Sequence, residues 1–197
     1  MNTVATNPTL TKERLGRQLT SSIAMTVILV TFSMLFASLL LGFTVFRLTS
    51  DVWPPMGFER VDLFLPTIST IVIALSSFTF WKYEKLFLQE NSEKKLWLSF
   101  TVLLGFSFMV AQMLLWSDLH SKGIYVQDGI FPSIIFSFTW THAAHVVVAW
   151  FLLFYLVPTL KESASVETLE NRVFNIGKFW HFLGVVWLIM YITIFLF

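Results

Sequence analysis

The stretch Gly129–Val157, GIFPSIIFSFTWTHAAHVVVAWFLLFYLV, decides the fold because it contains no Asp, Glu, Lys or Arg. About 20 apolar residues in a helix are enough to cross the ~30 Å hydrocarbon core of a bilayer. Within lipid the backbone must satisfy its own hydrogen bonds, so a continuous apolar stretch of this length is expected to be helical. The sequence therefore predicts a transmembrane helix here.

Four further stretches also lack charged residues, at about Ser22–Phe46, Leu63–Trp81, Leu96–Trp116 and Phe179–Phe197. A transmembrane β-barrel would instead show alternating segments about half as long. We therefore predict an all-α polytopic membrane protein, a five-transmembrane-helix bundle. The predicted domains are a polar N-terminal cytoplasmic tail at 1–21 and a membrane domain at 22–197, with spans at about 22–46, 63–81, 96–116, 129–157 and 179–197.

The distribution of Lys and Arg predicts the orientation, because these residues are enriched in cytoplasmic loops. One side of the predicted bundle carries Lys12, Arg14, Arg17, Lys82, Lys85, Lys94, Lys95, Lys161, Arg172 and Lys178. The opposite side carries only Arg47, Arg60 and Lys122. We expect the N-terminus inside and the C-terminus outside.

Composition narrows the possible functions. A formal net charge of +1 gives no basic field for nucleic acid, so no nucleic-acid partner is expected. The absence of cysteine excludes disulfides, iron–sulfur clusters and thiolate copper sites within this sequence. No carboxylate, lysine or arginine lies well inside a predicted span, which argues against an ion-coupled transporter.

Histidine is the remaining polar candidate inside the predicted spans. His142 and His145 are three residues apart in the fourth span, and His181 lies near the predicted start of the fifth. Paired imidazoles at helical spacing are compatible with haem or metal ligation. However, no Asp, Glu or Cys lies nearby in the sequence to complete a ligand shell, so helix packing and hydrogen bonding are the favoured roles. Gln112, in the third span, is a lesser candidate of the same kind.

Trp53-Pro54-Pro55-Met56-Gly57 is similar to a W-P-P-x-G turn, and Thr141–Val146 to an F-H-G-L-H-V string, of one known family, cytochrome c oxidase subunit III. These and further strings resemble that family in matching order and with compatible spacing. Trp180–Trp187 resembles its last-helix signature W-H-F-V-D-V-V-W, while Gln112 and Asp118 fall at its L-Q and E-Y-Y-E positions. Trp81 matches a further family tryptophan. The resemblance is to the shorter, five-helix form of the family.

The chain departs from the family at several polar positions. The family's intramembrane glutamate falls at Phe32 or Ser33, its last-helix aspartate at Gly184, and the first glutamate of E-Y-Y-E at Leu115. The family's histidine pair after Trp81 is replaced within Lys82-Tyr83-Glu84. Any role of those carboxylates in proton uptake is therefore not expected to carry over.

The resemblance implies a non-catalytic subunit III of a respiratory haem–copper terminal oxidase in a bacterial inner membrane. It would stabilise catalytic subunit I, contact the other subunits, and hold phospholipids near the route of oxygen. Haem and copper would lie in partner subunits, so no catalytic, cofactor-binding or metal-binding residue is expected here. The lipid or packing candidates are His142, His145, His181, Trp180, Trp187, Gln112 and Trp53. Two alternatives are an accessory subunit of nitric oxide reductase and a small haem b protein that uses His142 or His145 with His181.

Overall fold

The computed structural model describes residues 8–52, 55, 61–160 and 166–196. Within these ranges the chain forms five long helices: α1 (Pro8–Thr49), α2 (Phe64–Leu88), α3 (Lys94–Ser121), α4 (Ile130–Leu153) and α5 (Val166–Met190). Short 3-10 segments lie at Val126–Asp128 and Phe154–Leu160, and a π-helical segment, Tyr191–Leu196, continues α5. No strand occurs in the described part of the chain.

All five helices are long and apolar enough to cross a membrane. The corresponding segments are Leu15–Thr49, Phe64–Leu88, Lys94–Ser121, Ile130–Leu160 and Leu169–Leu196. The predicted all-α, five-span architecture is confirmed. The inside location of the N-terminus stays a prediction, because the length and composition of a helix do not determine its direction across the bilayer.

The helices extend beyond the charge-free stretches that predicted them. Helix α1 begins at Pro8, so it runs without a break through the tail at 8–21 into the first span. Helix α5 begins at Val166, and the predicted position of His181 near the start of its helix is therefore wrong. The physical reason is that Lys and Glu are good helix formers, so a helix continues where the lipid ends.

Contacts between side chains fix the direction of each helix. Helix α2 lies antiparallel to α3 and α5, and α4 lies antiparallel to the same two helices. In each pair of neighbouring helices, the contacting residues run in opposite order along the two helices. The contacts are Ser69 with Gln112 and Thr79 with Thr101 for α2 and α3, Thr67 with Tyr191 and Ser76 with Trp180 for α2 and the α5 segment, and Trp116 with Thr139 and Val102 with Trp150 for α3 and α4. Helix α1 packs on α5 and contacts α4 through Phe36 and Phe43.

Helix α1 is the peripheral member of the bundle. Only 6% of its most apolar stretch is buried, against 33–39% in the other four helices. The interior formed by those four helices is rich in large aromatic side chains, and the bulkiest fully buried ones are Trp180, Trp187, Tyr83, Phe80, Phe87, Phe108, Phe136 and Phe138. The candidate polar residues are embedded in this aromatic interior.

Candidate functional site

Trp180 and Trp187, the two tryptophans of the last-helix string, join α5 to α2. The Trp180 Nε1–H donates to Ser76 Oγ at 3.2 Å, and the Trp187 Nε1–H donates to Thr70 Oγ1 at 3.0 Å. Both indoles are at most 1% exposed. An indole nitrogen is a donor only, and a buried donor is costly to leave unpaired. Each tryptophan therefore needs the α2 hydroxyl that it meets.

Helix α3 approaches these tryptophans closely because residue 105 is glycine. A Cβ atom added to Gly105 would lie 2.7 Å from Trp180 Cη2 and 3.0 Å from Trp150 Cδ1. Trp150 itself donates its Nε1–H to the Val102 carbonyl of α3 at 2.9 Å. The glycine thus provides the space in which two tryptophans from α4 and α5 meet α3, as small residues commonly do in membrane bundles.

Gln112 is buried at the centre of α3, and one end of its amide is paired. Its Nε2 donates to Ser69 Oγ on α2 at 3.0 Å. Its Oε1 has no hydrogen-bond partner among the described residues. One turn further along α3, the Trp116 Nε1–H donates to Thr139 Oγ1 on α4 at 3.0 Å. A row of polar contacts therefore crosses from α2 through α3 to α4.

His142 is the most enclosed of the three candidate histidines, with 0% exposure. Its imidazole is surrounded by the rings of Phe36, Phe108 and Trp187, with centroids at 6.1, 5.8 and 5.3 Å. Neither ring nitrogen has a hydrogen-bond partner among the described residues. A buried polar ring without a partner is uncommon in native proteins and calls for a physical explanation.

His145 lies one turn along α4 and contacts α1. Its Nδ1–H donates to the Thr141 carbonyl oxygen at 2.6 Å. The imidazole meets the Phe32 ring edge-to-face at 4.4 Å and the Phe36 ring at 5.7 Å. Through these aromatic contacts the peripheral helix α1 packs against α4.

His181 contacts α2, and the arrangement includes a carboxylate that sequence reasoning missed. His181 Nε2 lies 3.9 Å from Glu84 Oε2, and its ring meets Phe80 at 5.8 Å. A Cβ atom on Gly177 would overlap Glu84 Oε1, so the carboxylate rests directly on the α5 backbone. The predicted second span ends at Trp81, whereas α2 continues to Leu88 and so includes Glu84.

A sequence signal for Glu84 was present. The buried positions Ile73, Ser76, Phe80, Tyr83 and Phe87 continue at helical spacing past Trp81, which indicates that the helix and its packed side persist. The adjacent Glu84 side chain is 15% exposed, which places it at the edge of this packed side.

The structure does not gather the histidines into one site. His145 contacts α1, His181 contacts α2, and His142 is enclosed by aromatic rings. No group of three or more His, Cys, Asp or Glu side chains suited to a metal ion occurs among the described residues. The arrangement is chemically suited to packing and hydrogen bonding between helices. Trp53, the remaining candidate, lies outside the described residues.

Packing contacts lie at the positions where the resemblance places family carboxylates. Phe32 faces His145, whereas Ser33 is exposed and bonds back to the Leu29 carbonyl, so Phe32 is the position that enters the bundle. Leu115 is fully buried in the core. A Cβ on Gly184 would lie 3.0 Å from Ser77 Oγ, so α2 approaches closely at that point.

Fold and contacts together define a small polytopic membrane protein whose interior is built from helix-to-helix tryptophan, hydroxyl and amide contacts. The sequence profile of the family described as cytochrome c oxidase subunit III matches residues 12–197. The chain belongs to the cytochrome c oxidase subunit III family.

Relatives carry the same description. A Synechocystis protein named cytochrome c oxidase subunit 3 is 24% identical over 170 residues, which cover 85% of this chain and 72% of that protein. Proteins of the same name from Drosophila melanogaster and Squalus acanthias are 33% and 31% identical, over 73% of this chain and 54% of each relative. The chain thus spans about half the length of these animal relatives. The matches favour an oxidase subunit over the nitric oxide reductase alternative.

Proposed function

We propose that this chain is a non-catalytic subunit III of a respiratory haem–copper terminal oxidase that reduces oxygen in aerobic electron transport. The observation that carries the proposal is the family match over residues 12–197, to which the structure adds an interior of paired packing groups. Tryptophan and glutamine side chains donate their N–H groups to hydroxyls on a neighbouring helix, as Trp180 and Gln112 do to Ser76 and Ser69. Such an interior stabilises a bundle and supplies no redox chemistry.

The partners of this subunit are proposed to hold the haem and copper. Catalytic subunit I and other oxidase subunits would cover part of the apolar exterior. The chain is a multi-pass membrane protein, and we propose that its membrane is the bacterial inner membrane. The bacterial relative from Synechocystis supports this location. His142, His145, His181, Trp180, Trp187 and Gln112 act in this proposal as packing residues.

Phospholipids are proposed to occupy the exposed side of α1. Large apolar side chains on this helix are exposed, including Ile23, Val27, Met34 and Leu41. An open groove near one end is lined by Gly16, Arg17, Thr20, Ser21 and Ala24, and another near the other end by Phe43, Thr44, Arg47, Leu48 and Thr193.

The spacing of the two groove arginines fits a bilayer. Arg17 and Arg47 lie 30 positions apart on one helix, which corresponds to about 45 Å at 1.5 Å per residue. The full thickness of a bilayer with its headgroups is about 40–45 Å. Each arginine is therefore at the level of a phosphate layer, with hydroxyl side chains beside it. An arginine cation suits a phospholipid phosphate.

Lipid retention has a direct test within the purified complex. Arg17→Gln should lower the amount of co-purifying anionic phospholipid, measured by mass spectrometry after extraction. Lys12→Gln is the matched control, because Lys12 is an exposed cation on the same helix and does not line the groove. Equal lipid loss in both variants, or loss in neither, would remove the groove from the proposal.

Co-purification tests the proposed function itself. The tagged chain, extracted in mild detergent from its own membranes, should bring with it a larger subunit that carries haem and copper. The isolated chain should show no Soret absorbance. A Soret band from the isolated chain would support the haem b alternative, and the absence of any haem-containing partner would contradict the oxidase assignment.

A further inference from the structure

Two buried polar groups on facing helices lack partners in the described part of the chain. One is the Oε1 atom of Gln112 on α3, and the other is the imidazole of His142 on α4. Gln112 is 1% exposed and His142 is 0% exposed, so bulk water does not satisfy either group. A carbonyl oxygen needs a donor, and a neutral imidazole offers one N–H donor and one acceptor nitrogen.

Helix register places these two groups opposite each other. Trp116 of α3 bonds to Thr139 of α4 at 3.0 Å, which fixes the level at which the two antiparallel helices meet. Gln112 precedes Trp116 by four residues, and His142 follows Thr139 by three, so both lie one turn from that bond in the same direction. One turn before Gln112 on α3, on the side away from Trp116, Phe108 contacts the His142 ring at 5.8 Å. His142 thus lies at a level between Gln112 and Phe108.

We propose that one ordered water molecule bridges Gln112 Oε1 and a ring nitrogen of His142 in the centre of the bundle. The water donates one hydrogen to the amide oxygen and pairs with the imidazole through its second hydrogen or its oxygen. The two side chains make no direct hydrogen bond, and a buried water typically pairs with buried polar groups that would otherwise be unsatisfied.

The water completes a hydrogen-bonded chain across three helices. On α2, Ser69 Oγ donates to the Leu65 carbonyl and accepts from Gln112 Nε2 at 3.0 Å. Through the water, the same chain continues from Gln112 on α3 to His142 on α4. Trp187 of α5, whose ring lies 5.3 Å from the imidazole, covers the site from another side. The site is therefore internal to the α2–α5 bundle and separate from the lipid grooves on α1.

A competing explanation is that the His142 N–H points at the face of a neighbouring aromatic ring. The Phe36 and Phe108 rings are inclined to the imidazole at 65° and 78°, which is compatible with such a contact. That explanation leaves Gln112 Oε1 without a donor. The bridging water gives Gln112 Oε1 a donor and pairs one ring nitrogen of His142, and it is therefore favoured.

Solid-state NMR of the 15N-histidine-labelled chain in its oxidase complex tests the bridge. The His142 ring nitrogen, assigned by its disappearance in His142→Phe, should show a cross-peak to water protons that survives transfer into lipid bilayers. Gln112→Leu should abolish that cross-peak and shift the ring resonance. Gln127→Leu is the control, because Gln127 is exposed and lies in a 3-10 turn outside the bundle.

A high-resolution density map provides a second measurement that does not depend on variants. It should contain one peak within hydrogen-bonding distance of both Gln112 Oε1 and a His142 nitrogen. The proposal is overturned by a His142 resonance without water contact that Gln112→Leu leaves unchanged. A map in which the two side chains bond directly, or in which the space between them is occupied by a neighbouring side chain, also overturns it.

Discussion

Gly105→Ala tests the packing of the tryptophan core with a change of one methyl group. The added Cβ would lie 2.7 Å from Trp180 Cη2 and 3.0 Å from Trp150 Cδ1. Favourable contacts between carbon atoms lie at about 3.5–4.0 Å, so the two rings would have to move by roughly 0.5–1 Å. Neither ring is free to do so, since Trp180 is bonded to Ser76 and Trp150 to the Val102 carbonyl.

The magnitude follows from two opposing effects. Overpacking a well-filled core costs about 1–3 kcal/mol. Replacing glycine by alanine inside a helix gains up to about 1 kcal/mol. We therefore expect Gly105→Ala to lower the free energy of unfolding by up to about 2 kcal/mol when the full helix gain is realised. Gly42→Ala is the matched control, because nothing lies within 4 Å of its added Cβ, and this variant should be unchanged or slightly more stable.

The assay is reversible unfolding of the purified chain in mixed micelles, followed by helical circular dichroism. Tryptophan fluorescence should report the same order, because the altered contacts are indole contacts. Equal stability of Gly105→Ala and Gly42→Ala would show that α3 does not approach the two tryptophans closely.

Two further substitutions test the contacts of α1 and α5. Phe32→Glu should cost about 1–3 kcal/mol more in a His145→Leu background than when His145 is present, because a partly buried carboxylate would lose the imidazole beside it. Ser33→Glu, on the exposed side, should cost the same in both backgrounds by the same unfolding assay. Gly177→Ala should displace the Glu84 carboxylate, which the added Cβ would overlap, and the loss of helix packing should appear as a lower midpoint of thermal unfolding. Glu84→Gln in the Gly177→Ala background is the control. Its midpoint of thermal unfolding should fall as far as that of Gly177→Ala alone, because the clash is steric and glutamine has the same size as glutamate.

The span positions could be predicted from the sequence because charge is excluded from the hydrocarbon core. The stretch Gly129–Val157 and its four counterparts correspond to the five long helices. The helix ends could not be predicted in this way, because charged residues such as Glu84 continue a helix outside the lipid. The start of α5 at Val166 was missed for the same reason.

The candidate residues were found more readily than their partners. Trp180, Trp187 and Gln112 could be selected from motif strings and from the rarity of polar groups in apolar spans. Their partners on α2, including Ser69 and Thr70, gave no signal, because serine and threonine are common in membrane helices and usually bond to their own backbone. Only the packing of α2 against α3 and α5 decides which hydroxyls serve as acceptors.

The resemblance to the family places carboxylates at the positions of Phe32 or Ser33, Leu115 and Gly184. In this chain Phe32 meets the His145 ring edge-to-face, and Leu115 is buried in the core. An edge-to-face aromatic contact contributes about 0.5–1.5 kcal/mol beyond the burial of its area. The third position is Gly184, and none of these positions carries a titratable side chain. A proton-uptake role based on them would therefore have no group to use.

We propose that this subunit supports its complex without taking part in electron transfer. Oxygen consumption by the purified oxidase after selective removal of this chain, measured together with the haem absorbance spectrum of the remaining complex, tests this directly. The haem spectrum should be unchanged, and oxygen consumption should begin at a substantial rate. Loss of haem with this chain, or complete loss of turnover in a complex whose haem centres are intact, would contradict the proposal.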